Sequence, residues 1–154
     1  MKPGDIVEDF TLKNQDGEDV SLSQFKGKPV VLFFYPRADT PGCTIESCGF
    51  RDAFTKFKKA GIVVLGISRD TVKAQKKFKD KYDLPYDLLA DDEMTLIKRF
   101  DLLKAKTMYG KPVTGVKRTT YLVGPDQKLL HIFEDVKPEG HAEEVLALVK
   151  AQKV

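Results

Sequence analysis

Two uninterrupted apolar runs constrain this chain more than any other feature: Val30 to Tyr35, stopped by Pro36, and Ile62 to Ile67, rich in β-branched residues. Runs of this length without alternation suit strands covered on both faces, the condition of a central sheet flanked by helices. The segment between them carries a helical pattern, with Phe50, Phe54 and Phe57 at i, i+4 and i+7 before Gly61. Strand, helix and strand in that order make a βαβ unit.

The remaining pattern extends this unit. Asp9 to Leu12 and Glu18 to Leu22 flank the turn sequence Asn14-Gln15-Asp16-Gly17 and read as a β-hairpin. Val72 to Tyr82, opened by Asp70-Thr71 as a helix start, and Glu93 to Phe100 are helical candidates. Thr119 to Val123 and Leu129 to Phe133 are strands joined by Gly124-Pro125-Asp126-Gln127, too short for a crossover, so this pair is antiparallel. Ala142, Val145, Leu146 and Val149 give a last helix one apolar face. The order hairpin, β, α, β, α, α, β, β, α describes an α/β chain. It implies a thioredoxin-like fold, a central mixed sheet flanked by helices with an N-terminal β-hairpin added.

Length and composition agree with a single domain over 1–154. A compact chain of 154 residues buries roughly 68–70% of the surface its unfolded form exposes, and folds without disulfides or metals. No run approaches the ~18 apolar residues of a membrane span, and no apolar stretch follows the lysine of MKPGDIVEDF to make a secretory signal. The expectation is a cytoplasmic protein with no membrane partner. Twenty-six Lys+Arg against 23 Asp+Glu leave a net charge of +3, and the densest basic stretch, Lys73 to Lys81, is broken by Phe78 and Asp80. A small excess without clustering makes no nucleic-acid face, so no nucleic-acid partner is expected.

Chemistry concentrates in one place. The strand ending at Tyr35 runs into Pro36-Arg37-Ala38-Asp39-Thr40-Pro41-Gly42-Cys43, and helical sequence follows from Thr44. Cys43 thus sits at the C-terminal edge of a sheet strand, where open α/β sheets bind ligands. It also sits in the first turn of a helix, whose unpaired N–H groups and dipole favour thiolate over thiol. This makes it a candidate nucleophile; a small residue in a tight turn is the other reading. Cys48, the only other cysteine, lies five residues on. On an intact helix, Cα atoms five apart are separated by about 8.5 Å, beyond the ~7 Å that a disulfide tolerates. Pairing the two thiols requires the helix start to unwind. Gly42 and Gly49 ease this, since glycine weakens a helix by ~1 kcal/mol relative to alanine. The spacing fits a redox cycle in which Cys43 reacts first and Cys48 joins it by local unfolding. The alternative for Cys48 is a small apolar residue on a buried face.

Pro36-xxx-Thr40-xx-Cys43 fits the motif PxxxTxxC. The stretch from Tyr35 through Cys48 into Phe50-Arg51-Asp52 resembles the PrxQ, or bacterioferritin comigratory protein, subfamily of the peroxiredoxins. The similarity continues through Leu65 to Asp70, Tyr82 to Leu89, Met108 to Lys111, Gly115 to Leu122 and Lys137 to Glu144. Arg37 stands where lysine is common, and Tyr121 where phenylalanine often appears.

The resemblance implies a thioredoxin-like peroxiredoxin fold and a thiol peroxidase reducing hydrogen peroxide and organic hydroperoxides to water and alcohols. Cys43 matches the peroxidatic cysteine, whose thiolate becomes a sulfenic acid. Cys48 matches the resolving cysteine that condenses with it to an intramolecular disulfide. Thr40 matches the hydroxyl that hydrogen-bonds peroxide and thiolate, Arg118 the guanidinium held against the site, and Pro36 a shield against water. Cleaving an O–O bond builds negative charge on the leaving oxygen, which a fixed guanidinium and N–H groups stabilise in place. By residue type alone, Thr40 reads as a helix cap, Arg118 as a surface residue and Pro36 as a strand terminator. Glu46, one turn from Cys43, either orients Arg118 or is a solvated helix glutamate. The resemblance also implies no metal, haem or flavin, re-reduction by a thioredoxin-like donor, and a monomer.

Three other readings use the same residues. Cys43-x4-Cys48 is near zinc-finger spacing, but His131 and His141 are too far apart in sequence for the paired histidines of such a site. Thioredoxin-type exchange uses Cys-x-x-Cys and a proline before the facing strand, whereas Val116-Lys117-Arg118 precede Thr119 here. A non-enzymatic redox sensor would pass the unwinding of the Cys43 helix to a partner and oxidise once without turnover.

Overall fold

The computed structural model describes residues 1–152, so the last two positions of the expected 1–154 domain lie outside the described residues. The chain runs β1 (Thr11–Lys13), β2 (Asp19–Ser21), a 3-10 turn (Leu22–Phe25), β3 (Val30–Phe34), α1 (Pro41–Lys59), β4 (Val63–Ser68) and α2 (Val72–Tyr82). It continues through β5 (Asp87–Ala90), α3 (Thr95–Arg99), β6 (Leu103–Met108), β7 (Lys111–Val116), β8 (Thr119–Val123), β9 (Leu129–Phe133) and α4 (His141–Gln152). Seven strands form one mixed sheet in the order β2-β1-β5-β4-β3-β8-β9, and β6 and β7 pair as a separate hairpin.

The βαβ unit forms as expected. β3, β4 and β5 are parallel, and both crossovers advance across the sheet in one direction. Right-handed connections of that kind put α1 and α2 on the same face. Val31, Phe33 and Tyr35 point to that face, where they meet Phe50 and Phe57 of α1, Phe78 of α2 and Val145 of α4. Leu32 and Phe34 point to the other face, onto Phe10, Leu96, Ile97, Phe100 and Tyr121. Every residue of β3 is therefore buried, and an apolar run without alternation is what two covered faces require. Gly66 of β4 serves the same packing. A Cβ there would lie 2.9 Å from the Phe33 ring and from Leu88, and that ring stacks on Phe50 at a centroid distance of 4.5 Å.

The N-terminal hairpin also forms, closed by Asn14, whose Oδ1 accepts the N–H groups of Asp16 and Glu18. It joins the sheet where Lys13 lies opposite Ala90 of β5. The helix start at Asp70-Thr71 is real: Thr71 Oγ1 accepts the Ala74 N–H. The antiparallel pair β8–β9 has its expected bounds.

Between Ile67 and Thr119 the sequence predicts no strand, and the structure has three. β5 is four residues long, and its Leu88-Leu89 core is too short for periodicity to separate strand from helix. β6 and β7 read LKAKTM and KPVTGV and pair only with one another. The described side chains of theirs that meet the core are Leu103 and Val116 at the base of the hairpin, so no alternating apolar pattern runs along them. α1 begins at Pro41 rather than Thr44, with proline where a helix start needs no N–H partner. Among the described residues no helix is long and apolar enough to cross a membrane.

Candidate active site

β3 carries the chain to the C-terminal edge of the parallel strands, where the loop 36–40 turns it into α1. Two carboxylates, one outside the loop and one within it, anchor it to the rest of the fold. Asp70, just past the end of β4, accepts the Ala38 N–H at 2.7 Å and the Ser68 hydroxyl at 2.6 Å. Asp39, at φ 58, is gripped by Lys81 Nζ and the Tyr82 hydroxyl, each at 2.9 Å. Those two bonds draw the Asp39 carboxyl below the usual carboxylate range.

Cys43 is third in α1 and fully buried. Arg118 reaches it from the far side of β3. Residue 118 immediately precedes β8, and antiparallel pairing sets Thr119 opposite Phe34, so β8 begins at the edge where β3 ends. One arm of the guanidinium, Nη2, donates to Cys43 Sγ at 3.4 Å, and the other, Nη1, donates to Glu46 Oε1 at 2.8 Å. The Glu46 side chain is 0% exposed and that of Arg118 16%. Burial pushes the Glu46 carboxyl up to about 7 against the pull of Arg118. Burial likewise opposes the charge on Arg118, but Cys43 and Glu46 outweigh it and hold its pKa above the usual value. Gly42 gives the guanidinium its space: a Cβ there would lie 3.0 Å from Nη2 and 3.4 Å from Pro138 Cγ.

Both cysteines are free, and α1 is continuous across them. Cys48 is partly exposed, and burial raises its thiol pKa while Arg51 pulls it back. The turn around it is pinned by its neighbours. The Tyr86 hydroxyl donates to the Ser47 carbonyl at 2.6 Å, and Arg51 Nη1 donates to the Tyr82 carbonyl at 2.9 Å. A Cβ on Gly49 would lie 3.7 Å from the Ala142 methyl group of α4.

The fold thus brings Cys43, Glu46 and Arg118 together and keeps Cys48 apart on the same helix. Glu46 is a buried partner of Arg118, not a solvated glutamate, and Arg118 is not a surface residue. Thr40 is the N-cap residue of α1, but its hydroxyl donates to the Arg37 carbonyl at 2.9 Å. Pro36 is half-buried where β3 gives way to the loop. Asp70, Tyr86 and Pro138 were missed as supports. Asp70 had a signal, since the loop after a strand parallel and adjacent to β3 lies at the same sheet edge. Nothing local marks Tyr86 or Pro138, which reach α1 from distant parts of the chain.

Chemically, a sulfur at a helix start under a fixed guanidinium suits attack on a small electrophile whose leaving group gathers negative charge. A second thiol on the same helix supplies a partner once the helix opens.

Residues 3–132 match the AhpC/TSA family. A putative peroxiredoxin bcp of Coxiella burnetii is 47% identical over 137 residues, covering 89% of this chain and 91% of that protein. Peroxiredoxin Bcp of Escherichia coli is 41% identical over 150 residues, covering 97% and 96%. Among solved structures, a cysteine-to-serine mutant of Xylella fastidiosa PrxQ superposes with a TM-score of 0.94 at 35% identity, covering 100% of this chain and 98% of that one. A bacterioferritin comigratory protein of Xanthomonas campestris, studied for alkyl peroxide reduction, gives a TM-score of 0.88 at 37% identity, covering 94% and 92%.

Proposed function

The chain belongs to the AhpC/TSA family and is a thiol peroxidase of the peroxiredoxin type, and we propose that Cys43 is its peroxidatic and Cys48 its resolving cysteine. The contact of Arg118 with the Cys43 sulfur carries this reading, because it fixes a cation where an attacked peroxide develops charge. The Cys43 thiolate attacks one peroxide oxygen; an S–O bond forms, the O–O bond breaks, and the other oxygen leaves as alcohol or water after taking a proton. The Cys48 thiol then attacks the sulfenic sulfur, an S–S bond forms, and water departs with the Cys48 proton. A thioredoxin-like dithiol returns two electrons and two protons by exchange.

Pro36 and the buried wall around Cys43 limit water at the sulfur. The Thr40 hydroxyl, with its hydrogen on Arg37, keeps its oxygen lone pairs for a peroxide proton. Glu46 positions Arg118. The chain acts as a monomer in the cytoplasm, with hydrogen peroxide and organic hydroperoxides as its substrates.

Peroxide consumption with a thioredoxin system tests the assignment. Cys43→Ser abolishes it, whereas Cys48→Ser still reduces one peroxide per chain but loses thioredoxin-dependent turnover. Full activity in Cys43→Ser ends the proposal.

A further inference from the structure

We propose that the β6–β7 hairpin is the docking surface for the acidic face of the dithiol protein that reduces this site, with Tyr109 as its anchor. This rests on the reading that a disulfide between Cys43 and Cys48 is reduced by such a protein.

The charge of this chain is unevenly placed. Residues 103–118 contain Lys104, Lys106, Lys111, Lys117 and Arg118 and no Asp or Glu. The other 138 residues hold 21 Lys+Arg against 23 Asp+Glu, so a segment of +5 stands on a body of −2. Lys104, Lys111 and Lys117 are exposed, and no ion pair among the described residues involves them. Arg118 is held inward by Glu46, so the exposed part of this excess is Lys104, Lys111 and Lys117, and it draws an oppositely charged surface over a screening length of ~8 Å at physiological salt.

The tip of the hairpin adds a second observation. Met108 pairs with Lys111, which leaves Tyr109 and Gly110 as a two-residue turn with φ 53 and 75. A turn with both central residues at positive φ favours Asn, Asp or Gly first, and a bulky side chain there is strained. Tyr109 is nonetheless 95% exposed. Neither the turn nor the core gains from an aromatic ring at this place. A protein partner does, since tyrosine is among the side chains that carry interface energy.

The hairpin also stands at the rim of the thiol site. β7 ends two residues before Arg118, and Arg69 Nη1 donates to the Thr114 carbonyl at 3.0 Å. The next residue, Asp70, holds the loop that leads to Cys43. Ile45, 45% exposed and between the two cysteines on α1, offers a docked partner an apolar contact beside the disulfide. A nucleic acid would also accept lysines and a tyrosine; the position beside the redox centre favours the protein. Once docked, a partner thiolate attacks the disulfide, forming a mixed disulfide and freeing one cysteine of this chain. The partner's second thiol then closes its own disulfide and frees the other.

The test compares wild type, the double variant Lys104→Glu/Lys111→Glu and Tyr109→Asn, using an acidic thioredoxin with its reductase, and separately dithiothreitol. The charge variant is expected to raise KM for thioredoxin about tenfold at low salt and to lose most of the salt dependence of kcat/KM. Turnover with dithiothreitol stays at the wild-type rate. Tyr109→Asn relaxes the turn, so its thermal stability holds or rises while KM for thioredoxin increases; a merely structural tyrosine would not separate the two. Unchanged KM in both variants, with wild type turning over normally, overturns the docking surface alone. Wild type that turns over with dithiothreitol but not with thioredoxin overturns the donor reading and the docking surface with it. Loss of binding to a short DNA duplex with thioredoxin kinetics unchanged also overturns the proposal and assigns the hairpin to a polyanion.

Discussion

Glu46 and Arg118 form an ion pair at 2.8 Å with the carboxylate side chain wholly out of solvent, one helical turn from the Cys43 sulfur. Exposed pairs contribute little; this one acts by orientation, holding the guanidinium so that its other arm meets the sulfur.

The pair makes stability depend on pH in a defined direction. The folded-state pKa of Glu46 is raised from 4.5 to about 7, so the native state holds a proton that the unfolded chain has released between those values. The contribution is fully present below pH 4.5 and is lost as pH rises through 7. Glu46→Gln, which never ionises, removes this dependence. The wild type is expected to lose about 3 kcal/mol more than the variant between pH 4.5 and pH 8. Urea unfolding at both pH values measures it, and equal losses refute the buried-carboxyl account.

Gly42→Ala separates stability from chemistry. The backbone at Gly42 is not in the left-handed region, so alanine can adopt it. The gain of about 0.5–1 kcal/mol from a less flexible unfolded chain is offset by crowding against Arg118 and Pro138, which leaves stability near that of the wild type. The new methyl group presses on Arg118 Nη2, 3.0 Å away, and turns the guanidinium off the sulfur. Stopped-flow oxidation by peroxide is expected to slow at least about tenfold. An unchanged rate would show that the arginine contact is dispensable.

Tyr86→Phe loosens the helix between the cysteines. It removes the bond to the Ser47 carbonyl and costs about 1 kcal/mol of global stability. Amide exchange over residues 44–50 of the reduced protein is expected to quicken, and the disulfide to form faster after a single equivalent of peroxide. If exchange in that segment does not change, Tyr86 plays no part in holding the turn.

What was legible in the sequence follows from how local each cause is. β3 and β4 could be read because burial on two faces writes itself into consecutive residues. Cys43 could be placed at a helix start because the strand, Pro36 and the helical pattern all lie within about twenty residues of it. Arg118 was reached through its resemblance to a known motif, since its own neighbourhood reads as surface. Its burial depends on β8 pairing with β3, a long-range event. Glu46 could not be assigned between orientation and solvation for the same reason, because its partner lies 72 residues away. β5 was missed because two leucines carry too little pattern, and its place in the sheet is set by β4 and the N-terminal hairpin beside it.

Gly49 and Gly42 rest against the segment that opens α4, through Ala142 and Pro138. The entrance to α4 therefore leans on the same helix turns that carry the two thiols. Unwinding of α1 would change what Ala142 packs against, so a reporter dye beside that residue is expected to sense the opening of a helix it is not part of. Bulk added at Pro138 or Ala142 would press on the helix that has to open, so the entrance to α4 is a place from which the pace of the thiol cycle can be tuned without touching either sulfur.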